Sequence, residues 1–539
     1  MRGPANRLPR SVTSALALGP LTVLVVFYVV PIATLTGRFF ATDVVQSLVH
    51  DRQLRQVLWF TTWQATFSTL LTVAVGLLPA YILARFEFRG HRLVMALVTV
   101  PFVLPTVVVG AAFLALLPDG LDHSVWAVLI AHVFFNVAVV VRGVGGLWEQ
   151  LPVDLAAAAR TLGASPLQAI RFVTLPLLAP ALYASAAIVF LFTFTSFGVV
   201  RVLGGPARPT LEVEIWQRAT RLGDIGAAAV LSVLQLLLLA MAVAWFARQQ
   251  RQHRNSLGLR PLAPRARART SRQRVGVIGV VTAVVLAVAV PLGALFERSL
   301  RTGEGYSFSA WRAVLGQAAK TSRPGAASSL DTVGALSTSL IFGCVAMLIS
   351  VFIGGCAAFA IVALGRGGLF LDVGLMLPLA TSAVTIGFGL LITFDTAPFD
   401  WRGAPLMIPL GHALVAIPFV VRIALPVLRS ISPQLRSAAH SLGASPLRAW
   451  VEIDVRFVLR PLLTGAGFAL AISLGEFGAT SFLTRHGRET LPIAIEQLLN
   501  KPGAMLHAQG YALATILAAL TLIVLAAVDG FGSSDARHA

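Results

Sequence analysis

Side chains able to do chemistry are few in this chain of 539 residues, and their spacing excludes more than it offers. The two lysines, Lys320 and Lys501, do not follow glycine, so the Gly-Lys-Ser/Thr loop that cradles nucleotide phosphates is missing. Neither a His-Glu-x-x-His pattern nor a nucleophile-base cluster occurs, and the ten histidines are scattered. Cys344 and Cys356 fall in one predicted helix, about 18 Å apart along its axis, too far to pair. They are expected to pack as small residues between helices. The chain reads as neither an enzyme nor a metal protein, with no cofactor of its own.

What must position so few groups is a membrane. Hydrophobic residues make up 57% of the chain and charged ones 12%, with mean hydropathy +0.82, far from the roughly 45–50% and 25% of soluble domains. Apolar runs of about 20 residues, the length a bilayer demands, recur along the chain. They lie at 12–36, 60–84, 94–117, 125–145, 179–203, 226–247, 275–297, 334–363, 369–394, 406–427, 461–483 and 508–528. The expected fold class is an all-α membrane protein of about twelve transmembrane helices. The first run follows Arg2, Arg7 and Arg10, but no small-residue cleavage site comes after it, so it reads as a retained helix. With the N-terminus cytoplasmic, most of the net charge of +19 falls in the inner loops, the asymmetry that fixes topology. Membrane lipid, not nucleic acid, accounts for that charge.

Shifting the sequence by 280 residues places His132 on His412, Arg142 on Arg422, Phe197-Gly198 on Phe477-Gly478, Thr210-Leu211 on Thr490-Leu491 and Gln217 on Gln497. The same shift superposes two copies of Leu-Gly-Ala-Ser-Pro-Leu, beginning at Leu162 and Leu442, while Pro101 and Gly110 match Pro378 and Gly387 at 277. Such self-similarity marks a duplication. It predicts a first six-helix half at 1–247, a linker at 248–274 and a second six-helix half at 275–539. The linker holds nine Arg and no acid, a composition suited to anionic headgroups. An even number of spans per half makes the repeats parallel, with a path expected between them.

Each half carries one long cytoplasmic segment between its fourth and fifth spans, at 148–178 and 428–460. Leu155, Ala158, Ala159 and Leu162 fall at i, i+3, i+4 and i+7, as do Leu435, Ala438, Ala439 and Leu442, which predicts a short helix with a narrow apolar stripe. Gly163 or Gly443 follows, where a helix takes a left-handed C-terminal residue. Ala164 or Ala444 then leads to Ser165-Pro166 or Ser445-Pro446, an N-cap and a first-turn proline that open a new helix. Helix, glycine turn and helix make a compact knob, and fixed geometry can transmit force.

The segment resembles the EAA motif of the membrane subunits of ATP-binding-cassette importers, with Gly163 and Gly443 at the motif glycine and Val173, Leu175 and Pro176 at its apolar-x-Leu-Pro. The likeness covers the whole chain. A single fused twelve-span subunit is similar to iron(III) and thiamine importer permeases; residues 195–217 resemble the thiamine type, while 473–482 and 490–497 also resemble molybdate and sulfate permeases. The resemblance implies the type I importer transmembrane fold in a bacterial cytoplasmic membrane. It implies that each knob is a coupling helix seated in a nucleotide-binding subunit, with contacts from Asp154, Ala157, Ala158, Gly163, Ala164, Ser165 and Pro166 in the first half. Gln434, Ser437, Ala438, Gly443, Ala444, Ser445 and Pro446 would serve in the second. Homodimeric or paired ATP-binding subunits would hold the ATP, and an extracytoplasmic solute-binding protein would deliver the solute. Two departures stand out: Ala157 and Ser437 occupy the motif's acidic position, and Val455-Arg456 replaces Leu-Pro in the second copy.

Charge inside a bilayer is costly and points to function. Glu476 is the acid deepest in a predicted span, and Ser196 is its counterpart in the first half. Phe-Gly follows both, a bulky group beside a glycine that permits close backbone approach. Ser196, Phe197, Glu476 and Phe477 are therefore expected to line or gate the path, with packing as the alternative. Arg201, Arg422 and Asp372 lie nearer span ends and read as interface anchors. An ion-coupled secondary transporter is the rival reading, but it would need more intramembrane polar groups than this sequence shows.

Overall fold

The computed structural model describes residues 9–40, 51–152, 154–205, 208–252, 265–303, 305–316, 330–395, 399–401 and 403–533. Residues 253–264 of the linker lie outside this set, as do the side chains of Asp154 and Ala156. Helix α1 (Arg10–Phe40) is followed by α2 (Arg52–Arg85), a two-residue strand β1 (Phe86–Glu87), α3 (His91–Val103), α4 (Thr106–Leu116) and α5 (Val125–Gln150). The short α6 (Asp154–Thr161) precedes α7 (Pro166–Phe194), α8 (Gly198–Leu203), α9 (Leu211–Thr220) and α10 (Ile225–Gln252). Strand β2 (Ala266–Arg267), α11 (Ser271–Leu300) and α12 (Ser309–Val314) lead into the second series. That series runs α13 (Thr332–Leu364), α14 (Gly368–Ala380), α15 (Ala383–Thr393), α16 (Met407–Ser430), α17 (Pro433–Ser441), α18 (Pro446–Gly475), α19 (Thr480–Leu483), α20 (Leu491–Leu499) and α21 (Ala504–Ser533). From α2 to α10 and from α13 to α21 the elements correspond one to one, so the duplication read from sequence is a duplication of structure.

Among the described residues ten helices are long and apolar enough to cross a membrane, and twelve spans result if two bent pairs each count as one. The pairs are α3–α4, bent by 99°, and α14–α15, bent by 101°. The continuous spans expected at 94–117 and 369–394 are thereby corrected. Leu104 precedes Pro105 and is extended at ψ 139°, as clash with the proline ring requires. In the second pair Ser382 accepts from the amides of Val384 at 3.1 Å and Thr385 at 3.5 Å, capping a new helix. The fifth spans are broken too: α7 ends at Phe194 before α8, and α18 ends at Gly475 before α19.

The helices divide into two units, one of residues 1–45, 215–232 and 299–539, the other of residues 46–214 and 233–298. In the first, α1 packs on α13, and Tyr28 Oη shares a hydrogen bond of 2.5 Å with Thr381 Oγ1. In the second, Val277 and Val280 of α11 join Ile82 and Phe86 in one apolar cluster. The opening span of each sequence half thus packs with helices of the other half. Both units use the same close crossing: a Cβ on Gly76 would meet Val140 at 2.8 Å, and one on Gly354 would meet Val420 at 2.9 Å. Small residues bring α2 against α5 and α13 against α16, the usual device where lipid offers no hydrophobic drive between helices. Cys344, expected between helices, is exposed, and Cys356 is half-buried.

Candidate functional site

The knobs have nearly identical backbones. Gly163 and Gly443 sit at φ +90° and +85°, where only glycine is unstrained. The amide of Ala164 donates to the carbonyl of Ala159 at 3.1 Å and that of Gly163 to Arg160 at 3.1 Å; Ala444 to Ala439 and Gly443 to His440 repeat the pattern at 3.0 and 2.9 Å. These are the paired bonds of a Schellman turn, which satisfies the last carbonyls of the first helix. Ser165 and Ser445 then cap the next helix, each accepting a backbone amide at 3.3 Å, with Pro166 and Pro446 behind them. A π-helical turn follows in both, Ile170–Thr174 and Trp450–Val455, before the fifth span continues. It forms with Leu175-Pro176 in one copy and without a proline in the other.

Every described sequence-predicted knob residue is at least partly exposed: Ala157, Ala158, Gly163, Ser165, Pro166, Gln434, Ser437, Ala438, Gly443, Ser445 and Pro446 are exposed, Ala164 and Ala444 half-buried. The apolar stripes also face outward, with Leu162 at 89% and Leu442 at 88% exposure. Each turn thus holds a leucine outward at the matching position of the repeat.

Side chains reinforce the two turns differently. In the first, Gln168 Oε1 accepts the Ser165 amide at 2.8 Å, completing a reciprocal capping box. At its base Arg265 pairs with Glu149 at 2.8 Å and Glu87 at 3.4 Å, while β2 lies parallel to β1. In the second, His440 Nδ1 donates to the Ala444 carbonyl at 2.9 Å across the turn, and Arg436 Nε donates to both carboxylate oxygens of Asp454 at 3.1 Å. Arg429 also pairs with Asp372 at 3.3 Å, giving a partner to an acid that sequence placed merely at an interface.

At the far end of the fifth spans lie the expected path residues, all buried: Ser196 5%, Phe197 5%, Glu476 7% and Phe477 3% exposed. The close backbone approach expected at Phe-Gly is present. A Cβ on Gly198 would meet Thr106 Oγ1 at 2.2 Å, and one on Gly478 would meet the Val384 amide at 3.2 Å. The break after the fifth span therefore seats against the second limb of each bent pair.

Sequence reasoning used His132 and His412 only as markers of the repeat, and here it missed functional candidates. His132 Nδ1 meets Ser68 Oγ at 3.1 Å and Nε2 meets Ser196 Oγ at 2.9 Å. His412 Nδ1 meets Ser473 Oγ at 2.7 Å and Nε2 meets Thr480 Oγ1 at 2.7 Å. Each ring ties its fourth span to the broken fifth. In the second half the Thr480 hydroxyl donates to Glu476, at 3.0 Å to Oε2, so His412 Nε2 carries the hydrogen and Ser473 donates to Nδ1. The Glu476 carboxylate also accepts the amides of Ala479 and Thr480 at 3.1 Å each. It anchors the break rather than standing free. Also missed were Glu212 and Glu214, at 0% and 2% exposure, which sequence placed in a loop. Glu212 accepts from Gln235 Nε2. The signal was a carboxylate on alternate residues within an otherwise apolar Leu-Glu-Val-Glu-Ile. Among the described residues no group of three or more His, Cys, Asp and Glu is placed to hold a metal ion.

Residues 72–253 and 346–531 match the family described as binding-protein-dependent transport system inner membrane component. Over 510 residues the chain is 28% identical to the thiamine transport system permease protein ThiP of Brucella suis, covering 90% of this chain and 89% of that one. It is 25% identical over 505 residues to ThiP of Escherichia coli K12, covering 89% of each. A stretch covering 43% of the chain is 33% identical to a probable molybdenum ABC transporter permease protein of Haloferax volcanii, and spans 89% of that protein.

Proposed function

Because the chain belongs to the family of binding-protein-dependent transport system inner membrane components, we propose that it moves thiamine through the membrane, driven by ATP hydrolysed on separate subunits. It is an importer permease with two repeats of the type I fold and a multi-pass membrane protein. The observation that carries thiamine is similarity to ThiP proteins along about nine-tenths of both chains. Molybdate is the second reading, favoured by the 33% identity of one half to the Haloferax protein. Iron(III), expected equally from the fused form, is not specifically shown by these relatives.

In this reading the knobs at 148–178 and 428–460 seat in paired ATP-binding subunits, with exposed Leu162 and Leu442 entering their surface. A solute-binding protein delivers thiamine on the opposite side, and the N-terminus is cytoplasmic. Ser196, Phe197, Glu476 and Phe477 gate the path through the position of the break they hold. Bound ATP stays on the partner, since this chain has no phosphate-cradling lysine.

The test is reconstitution of the chain with its ATP-binding subunits and binding protein in proteoliposomes. Thiamine on the binding protein should stimulate hydrolysis and enter the lumen, while iron(III) and molybdate should do neither. Stimulation by molybdate alone would replace the solute and keep the family reading.

A further inference from the structure

We propose that the ion pair Arg436–Asp454 is the brace that makes the second knob stiff enough to drive its fifth span. The proposal rests on reading the knobs as docking elements. Arg436 lies in α17 and Asp454 in the π-helical turn of α18, on opposite sides of the turn at Gly443. The guanidinium grips the carboxylate as a fork, Nε to both oxygens at 3.1 Å and Nη2 to Oδ1, a geometry that fixes orientation as well as separation. The side chains are 17% and 6% exposed, so water screens the pair weakly.

A knob built only on a glycine turn and a serine cap can hinge at the glycine. The brace closes the open side and makes the two arms a triangle. A cleft of about 740 Å³ lies there, lined by Arg436, Asp454, Trp450 and Arg429, so apolar packing does not fill the space between arm and span ends. The braced arms connect two long elements. α17 follows α16, the fourth span, after two residues, and α18 runs without a break from Pro446 to Gly475, where Glu476 holds the next segment. Motion imposed on the knob is thereby carried along α18 to the break.

The first knob has no such brace. At the 280-residue offset stand Ala156 and Thr174, which cannot form an ion pair. Thr174 Oγ1 makes one long bond, 3.5 Å, to the Ala169 carbonyl. At the turn itself stiffness comes from the Ser165–Gln168 box and from Pro176, which restricts the backbone just after the π-helical turn, while the Arg265 pairs with Glu149 and Glu87 tie only the base of the knob. The second copy lacks that proline, and its brace grips the residue before Val455, where Leu-Pro is missing. One device stands in for the other.

The experiment uses the full chain with Cys344 and Cys356 replaced by serine and spin labels at exposed Ser441 and Val451, one on each arm. Arg436→Gln and Asp454→Asn should each broaden the distance distribution, and the exchanged pair R436D/D454R should narrow it again. In the complex with ATP-binding subunits, each single variant should lower thiamine moved per ATP by about tenfold or more, because removing one partner leaves the other charge buried and unpaired, while pull-down of those subunits persists. The exchanged pair should recover most of that ratio. Unchanged distance distributions in the single variants would overturn the brace, as would single variants that lose the ATP-binding subunits outright. Failure of the unaltered complex to transport would instead overturn the functional reading, while the distance measurement still decides the brace.

Discussion

Two knobs with one backbone are held in shape by different chemistry. Both have a left-handed glycine, a Schellman turn and a Ser-Pro start. At its turn the first then relies on local sequence, the Ser165–Gln168 capping box and Pro176, with Arg265 pairing with Glu149 and Glu87 only at the base. The second relies on contacts across the loop, Arg436 to Asp454 and His440 to Ala444. Backbone requirements at such a turn admit few residues, so they recur in both repeats. Reinforcement admits many solutions, so the copies differ. The missing Leu-Pro of the second copy is a change of device rather than a loss.

The largest expected effect comes from breaking what the knobs share. Gly163→Asp and Gly443→Asp force a side chain into the left-handed region at about 1–2 kcal/mol and place charge at the docking tip. Both should cut thiamine transport per ATP by about tenfold or more, with Gly443→Asp the worse, because a braced knob passes strain on. Equal effects on coupled hydrolysis would remove the difference between the knobs.

A smaller effect tests the same contrast at the far end of the fifth spans. His412→Ala orphans Ser473 and takes from Thr480 the ring N–H that steadies it under the Glu476 carboxylate, to which Thr480 still donates, whereas His132→Ala leaves two serines without the ring. Each orphaned group costs about 1–3 kcal/mol, and the second half has the added carboxylate to hold. Melting in detergent should fall further for His412→Ala than for His132→Ala, and transport several-fold further. If Glu476→Gln and Phe477→Ala both leave transport and coupled hydrolysis unchanged, the gate assignment fails.

The smallest effect is at the caps. Ser165→Ala removes one side of a reciprocal box and should cost about 1 kcal/mol; Ser445→Ala removes a cap that His440 and the brace back up, and should cost less. Hydrogen exchange at the Gln168 and Arg448 amides measures each locally.

Much of this was legible before the structure. Apolar run lengths located the helices, one offset exposed the repeat, and Gly-Ala-Ser-Pro specified a turn because each residue there is demanded by backbone geometry. What was not legible depends on partners distant in sequence. Arg436 and Asp454 are 18 residues apart with no periodic sign of their pairing. The bends at Pro105 and Ser382 hide inside apolar runs, where hydropathy is blind to direction. Glu212 and Glu214 sit outside any long apolar run and read as loop, yet tertiary packing buries them. The placement of α1 with α13, rather than with its own half, also leaves no mark on composition.

We propose that this chain does no energy-yielding chemistry of its own and takes its work through the two knobs. Uptake of labelled thiamine into proteoliposomes containing the chain, with and without its ATP-binding subunits, tests it most directly. The account predicts no uptake by the chain alone under a proton or sodium gradient, and ATP-dependent uptake once the subunits and the binding protein are added. Gradient-driven uptake by the chain alone, indifferent to ATP, would contradict it.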